Sequence, residues 1–182
     1  ARGYGEPAAG YVSLPEGAQV CGILAGADED WVLLASSGGY GFVVRLGELH
    51  AKNRAGKAVL HVGPEAQLLP PAVVTDRDRG RFVVVADDGH LLAAPIESLP
   101  EMTKGKGVKL IQLGARASGE GSPRVRAVVA LAPAQALLLR AGDKELILKP
   151  QELESRYQGA RAQRGSLLPR AFRAPDVVVP VT

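Results

Sequence analysis

The stretch FVVVADDGHLLAAPI, Phe82 to Ile96, decides how this chain folds. A branched apolar run, Phe82-Val83-Val84-Val85, meets Asp87-Asp88-Gly89 and resumes as Leu91-Leu92-Ala93-Ala94-Pro95-Ile96. Residues that tolerate positive φ between two β-prone runs predict a tight hairpin. The runs are apolar without alternation, so both faces of that hairpin are expected to be covered.

The same unit stands upstream and downstream. Val32-Leu33-Leu34, Ser37-Gly38-Gly39 and Phe42-Val43-Val44-Arg45-Leu46 form one copy. Leu137-Leu138-Leu139, Gly142-Asp143 and Leu146-Ile147-Leu148-Lys149-Pro150 form another. After each comes an acid with leucine close behind: Glu48-Leu49, Glu97-Ser98-Leu99 and Glu152-Leu153. A loop of Gly and basic residues follows, KNRAGK from Lys52, TKGKGVK from Thr103 and GARAQRG from Gly159. A last apolar stretch closes each copy at Val59-Leu60, Leu110-Ile111 and Leu167-Leu168. Leu49 and Leu99 are 50 residues apart, and Leu99 and Leu153 are 54 apart, which gives each copy room for about four short strands. The predicted fold is all-β: a propeller of about three complete four-stranded blades and part of another, in an incomplete or open ring. The units run over 1–19 (partial), 20–69, 70–124 and 125–182. The regions around Glu48, Glu97 and Glu152 are expected to form one helical turn at most. The first residues hold a further basic-Gly loop (Arg2, Gly3, Gly5) and a strand from Tyr11 to Leu14; Ala115 to Arg124 reads as an inter-blade loop, and the segment from Pro175 as a closing strand or a tail.

Composition agrees. Of 182 residues, 46% are hydrophobic but only 4% aromatic, with 22 Gly and 13 Pro. This suits repeated thin layers joined by many turns better than one large aromatic core. No apolar run is long enough to span a bilayer as a helix, and no charged-then-apolar leader opens the chain, so a cytoplasmic protein without membrane contact is expected. The first residue is Ala1, which suggests a piece of a longer polypeptide. A lone Cys21 excludes an internal disulfide and a multi-cysteine metal site, and its apolar surroundings suggest a small core residue.

Charge is the functional signal. Net charge is only +3, but three windows hold no acid. Residues 51–57 carry Lys52, Arg54 and Lys57; residues 103–110 carry Lys104, Lys106 and Lys109; residues 156–173 carry Arg156, Arg161, Arg164, Arg170 and Arg173. These windows contain half of the 22 basic residues, and the remaining positions are net acidic. Such segregation points to a polyanion-binding surface on an acidic body. Glycines let a phosphate backbone approach peptide N–H groups, while Lys and Arg neutralise phosphates and release counterions. Repetition at one place in each blade would align the loops on one rim, which favours bent duplex and reads no sequence. The candidate DNA-binding residues are Arg2, Arg45, Lys52, Arg54, Lys57, Lys104, Lys106, Lys109, Arg156, Arg161, Arg164 and Arg170.

Catalytic constellations do not emerge. Gly56-Lys57 is followed by Ala58 and Gly105-Lys106 by Gly107, so neither is a P-loop. His50, His61 and His90 share no ligand spacing. Asp87-Asp88 belongs to a hairpin turn rather than to a carboxylate pair. Trp31 reads as packing. Tyr4 and Tyr157 lie beside basic loops, against a sugar or, as favoured here, against a neighbouring loop.

Four stretches carry a resemblance: ARGYGEP at the start, SSGGYGFVVRLGELHAKNRAGKAVLHV from Ser36, IESLPEMTKGKGVKLIQL from Ile96 and LILKPQELESRYQGARAQRGSLLPRAF from Leu146. Together they resemble the C-terminal domain of the A subunits of bacterial DNA topoisomerase IV, in the gyrase A β-pinwheel superfamily. The resemblance implies blades that exchange strands, about five in the whole domain. It implies a non-catalytic module that bends double-stranded DNA and presents it to a type IIA core for decatenation and relaxation of supercoils. The B subunit of topoisomerase IV and the second copy of the A subunit would be met through the rest of the chain. ATP and magnesium would serve the holoenzyme elsewhere, with no cofactor in this stretch, and the setting would be the nucleoid. In some relatives a chromosome-condensing protein (a bacterial condensin) docks on this domain, though no residue here marks that surface. The gyrase-type box resembling QRRGGKG is missing; Lys104-Gly105-Lys106-Gly107 and Gln163-Arg164-Gly165 are degenerate, which argues for moderate bending. Two other readings stay open: a protein-interaction propeller whose basic loops bind an acidic partner, and a propeller enzyme, which would need a polar cluster at the ring centre.

Overall fold

The computed structural model describes residues 15–114 and 123–182. Arg2, Tyr4, the strand from Tyr11 to Leu14 and most of the 115–124 loop lie outside the described residues. The chain forms three antiparallel sheets stacked face to face, each built on one hairpin. The hairpins are β1 (Trp31–Ala35) with β2 (Tyr40–Arg45), β4 (Arg81–Ala86) with β5 (His90–Pro95), and β8 (Ala136–Ala141) with β9 (Lys144–Leu148).

The middle hairpin is apolar without a break because it is buried on both sides. Alternate side chains point to opposite faces, and both faces are covered. Phe82, Val84, Leu92 and Ala94 pack with Leu33, Ala35 and Val43 of the first sheet. Val83, Val85, Leu91 and Ala93 pack with Leu137, Leu139 and Leu148 of the third. Phe82 and its strand neighbours through Val85 are wholly buried. The outer face of the third sheet leaves Ile147 exposed.

The remaining strands extend the first two sheets on both sides and the third, among the described residues, on one. β3 (Ala72–Val74), β7 (Val125–Leu131) and β11 (Val177–Val181) pair with β1, β4 and β8 respectively. β7 touches both β3 and β11, so these strands form the hub. They border a groove of about 670 Å³ lined mainly by Val and Pro. The segment after Pro175 is therefore a closing strand. On the opposite edge the first two blades each borrow from the next. β6 (Val108–Lys109) pairs with β2 at Tyr40↔Lys109 and Gly41↔Val108. β10 (Ser166–Leu167) pairs with β5 at Ser166↔Leu91 and Leu167↔His90. Strand exchange, implied by the resemblance, is thus present at both junctions. Gly107 (φ 79°) and Gly165 (φ 78°) introduce the borrowed strands in left-handed conformation. A Cβ at either would collide with a carbonyl oxygen of the accepting blade, at Gly41 or Leu91.

Three expectations need correction. First, the third sheet has three strands among the described residues, not four. Glu145 of β9 stands where β2 has Gly41 and β5 has Leu91, and it pairs with Arg140 at 2.6 Å. Charge on an edge strand discourages further pairing. Second, Pro150–Glu152 forms α1 and continues as a π-type turn through Leu153–Tyr157, about two turns instead of one. Its length comes from Leu153 and Tyr157, four residues apart and both buried in the core shared by the second and third sheets. Third, Cys21 is exposed rather than in the core. It precedes the first hairpin much as β3 and β7 precede theirs, but no described hairpin pairs with it; Val20 and Ile23 are exposed as well.

Candidate nucleic-acid interface

The three basic loops lead into the borrowed strands or, for the first, into the equivalent segment at Lys57-Ala58. Gly56 shares the left-handed φ of Gly107 and Gly165, at 80°. All three loops therefore lie on the outer edge of the blades, away from the hub.

Backbone hydrogen bonds tie them to one another. Gly105 N–H donates to the Val59 carbonyl at 2.9 Å, and His61 N–H donates back to Gly105 at 2.8 Å. One blade further on, Ala162 N–H donates to Leu110 and Gln112 N–H to Gln163, both at 2.9 Å. The third loop is one residue longer between its blade contact (Gln158, matching Glu101) and its glycine (Gly165, matching Gly107). Ala162 takes up the slack at φ 68°, alone among described non-glycine residues in having a positive φ. The loops form one continuous, hydrogen-bonded perimeter, and the structure brings their cations onto it together.

The cations differ in freedom. Lys52, Arg54, Lys104 and Arg170 are exposed and have no hydrogen-bond or ion-pair partner among the described residues. Lys57 is exposed and donates to the Glu48 carbonyl at 2.7 Å. Lys106 Nζ lies 3.9 Å above the Tyr40 ring. Lys109, half-buried on β6, donates to Gln112 Oε1 at 3.0 Å. Arg156 approaches the ring of Tyr157, which is buried in the core between the second and third sheets rather than packed on a neighbouring loop as expected. Arg161 reaches across the junction to the Lys109 carbonyl at 2.9 Å and so helps fix the perimeter. Arg173 covers Gly89 and donates to the Leu168 carbonyl.

Arg45 stands apart from the loops. Its register partner across the hairpin is Trp31, and its guanidinium stacks 3.6 Å from the indole centroid. It also donates to the Glu29 carbonyl, beside Asp28 and Glu48. Arg77 also lies over Trp31, 5.7 Å from the ring centroid, so Trp31 does serve packing.

Sequence reasoning passed over an ion cluster at the second junction. Arg164 of the third loop reaches Asp88 Oδ2, in the turn of the preceding hairpin, at 3.3 Å. His90 Nδ1 lies 2.9 Å from Asp88 Oδ1, a close contact although out of line for a hydrogen bond. Partial burial pushes the Asp88 carboxyl upward, but the His90 ring, its backbone N–H and Arg164 outweigh this and hold it below the usual carboxylate range. Asp87-Asp88-Gly89 is indeed a turn, with Gly89 at φ 86°. Arg81, on β4, spans the same junction to Glu154 at 2.7 Å. Overlaying the hairpins would have exposed the cluster: the registers make Tyr40 equivalent to His90 and Gly38 equivalent to Asp88.

Among the described residues, no three or more His, Cys, Asp and Glu side chains cluster in a way that could hold a metal ion. No helix among the described residues is long and apolar enough to cross a membrane.

The chain matches no family model. It is 36% identical over 168 residues to the A subunit of DNA topoisomerase 4 from Salmonella typhimurium, covering 92% of this chain and 22% of that protein. It is 36% identical over 176 residues to the Pseudomonas aeruginosa counterpart, covering 97% of this chain and 23% of that one. The chain thus spans under a quarter of these relatives. Among solved structures, the C-terminal domain of gyrase A shares the fold, with a TM-score of 0.68 at 15% identity, over 88% of this chain and 54% of that one. The Escherichia coli ParC C-terminal domain matches with a TM-score of 0.84 and 34% identity, over 100% of this chain and 72% of that domain. The overlap with that domain and the degree of identity place this chain in the ParC family, as part of the β-pinwheel C-terminal domain of a topoisomerase IV A subunit.

Proposed function

We propose that the chain is a non-catalytic module that binds double-stranded DNA along its outer perimeter and bends it. The observation that carries this reading is the joining of three acid-free basic loops into one hydrogen-bonded edge. Phosphates along a curved duplex can meet all three loops; a straight duplex meets fewer. Most of these cations are exposed and need no desolvation, so binding is electrostatic, independent of sequence and weakened by salt. In the full-length protein the module would hand bent segments to the cleavage core for decatenation and relaxation of supercoils. The second A subunit, the B subunit, ATP and magnesium belong to that larger assembly, in the cytoplasm at the nucleoid.

The test is a salt series of duplex binding by the chain and by the triple variant Lys52→Ala, Arg54→Ala, Lys57→Ala. The log–log slope should fall by up to about 2.7, or about 0.9 for each phosphate no longer neutralised, equally for unrelated sequences. Retention of an acidic protein but of no duplex at low salt would favour the protein-interaction reading instead.

A further inference from the structure

The first junction holds a cavity of about 310 Å³. Its walls include Ser37, Gly38, Tyr40, Lys106 and Arg124, with Glu65 as the carboxylate among them. The hairpin registers and the two strand-donating glycines make positions at the two junctions comparable. Gly38 matches Asp88, Tyr40 matches His90, and Lys106 matches Arg164. At the second junction the chain supplies its own anion: the Asp88 carboxylate sits between Arg164 and His90. At the first, Gly38 supplies no side chain at that place. Lys106 has no carboxylate partner among the described residues and rests on the Tyr40 ring. Arg124 brings a second cation, a guanidinium, to the cavity wall. Ser37 is almost fully buried, and its Oγ accepts the Gln67 N–H at 2.9 Å, which leaves the hydroxyl proton to donate.

We propose that this cavity seats a backbone phosphate of duplex DNA, carrying the contact surface from the rim onto the turn face between the first two blades. The proposal rests on the perimeter reading above and adds to it a built place for one phosphate. Lys106 and Arg124 supply charge, and the Ser37 hydroxyl supplies a directed donor. The internal carboxylate of the second junction shows what kind of group this arrangement accommodates. The second junction is neutralised from within and contributes less to binding.

Two variants test this in the 182-residue chain. Gly38→Asp installs the anion that the second junction already has. Gly38 is not in the left-handed region, and an added Cβ meets nothing closer than 3.4 Å, so the backbone accepts the change. Arg124→Gln removes one cation without adding an acid and decides the matter should Gly38→Asp fail to fold. Each should lower affinity for a short duplex about fivefold and reduce the salt slope by about 0.9. Orthophosphate, followed by phosphorus NMR, should bind weakly and be displaced by duplex. A wild-type chain that binds duplex while both variants keep its affinity and slope overturns the cavity proposal alone. Orthophosphate that binds here without competing with duplex assigns the cavity to free phosphate and overturns it too. A wild-type chain that fails to retain duplex at low salt overturns the perimeter reading beneath it.

Discussion

The two blade junctions are built alike and charged differently. Each has a borrowed two-residue strand, a left-handed glycine and a basic loop hydrogen-bonded to the loop before it. The second junction adds internal ion pairs, Arg164–Asp88 and Arg81–Glu154. The first leaves Lys106 unpaired with any described acid, above an aromatic ring. Backbone geometry therefore sets the fold at both junctions, whereas side-chain charge separates a junction that holds itself together from one that offers its cations outward.

The largest expected effect tests the shared part. Gly107→Ala and Gly165→Ala add a Cβ against backbone in a left-handed conformation, so each should cost about 2–4 kcal/mol of stability, measured by denaturant unfolding. Gly56→Ala has the same φ but meets no described atom within 4 Å, and should cost only about 1 kcal/mol. Equal losses at all three would mean that strand exchange is not what those glycines serve.

Next comes the difference in charge. Asp88→Asn should destabilise the second junction by about 0.5–1 kcal/mol near neutral pH, as for a partly exposed pair. The Asp88 carboxyl is held below its unfolded value of 3.8, so its contribution is fully present above that value and fades as pH falls through the lower folded value. The acid limb of the stability curve should accordingly flatten in Asp88→Asn. An unchanged acid limb would remove Asp88 from the account. The same substitution frees Arg164, and a modest rise in duplex affinity, about twofold, is expected from the extra uncompensated charge.

Smallest in its effect on binding is Arg45→Ala. Arg45 is occupied by Trp31 and Glu29 beside two further acids, so the substitution should change the salt slope by less than about 0.3 while lowering stability through lost stacking by about 1 kcal/mol. A slope change as large as that for Lys52 would place Arg45 among the residues that bind duplex.

The hairpins were legible because apolar runs interrupted by Gly-Gly, Asp-Gly or Gly-Asp leave few alternatives, and three copies exposed the repeat. The rim was legible because glycine and acid-free charge recur at one place in each copy. The exchange partners could not be found by periodicity. β6 and β10 are two residues long and pair with strands far back in the chain, as Lys109 does with Tyr40. Burial of Cys21 was inferred from its apolar neighbours, but burial needs a partner sheet and not merely apolar sequence. The Asp88 cluster and the occupation of Arg45 by Trp31 depend on register, which places residues side by side that composition treats as independent.

The most direct test compares the chain's affinity for a linear duplex with that for a minicircle of the same sequence at matched salt. A curved cationic edge predicts several-fold tighter binding to the minicircle, with the advantage shrinking as Lys52, Arg54 and Lys57, then Lys104 and Lys106, are neutralised in turn. Equal affinity for the two forms, unaffected by loop neutralisation, would contradict it.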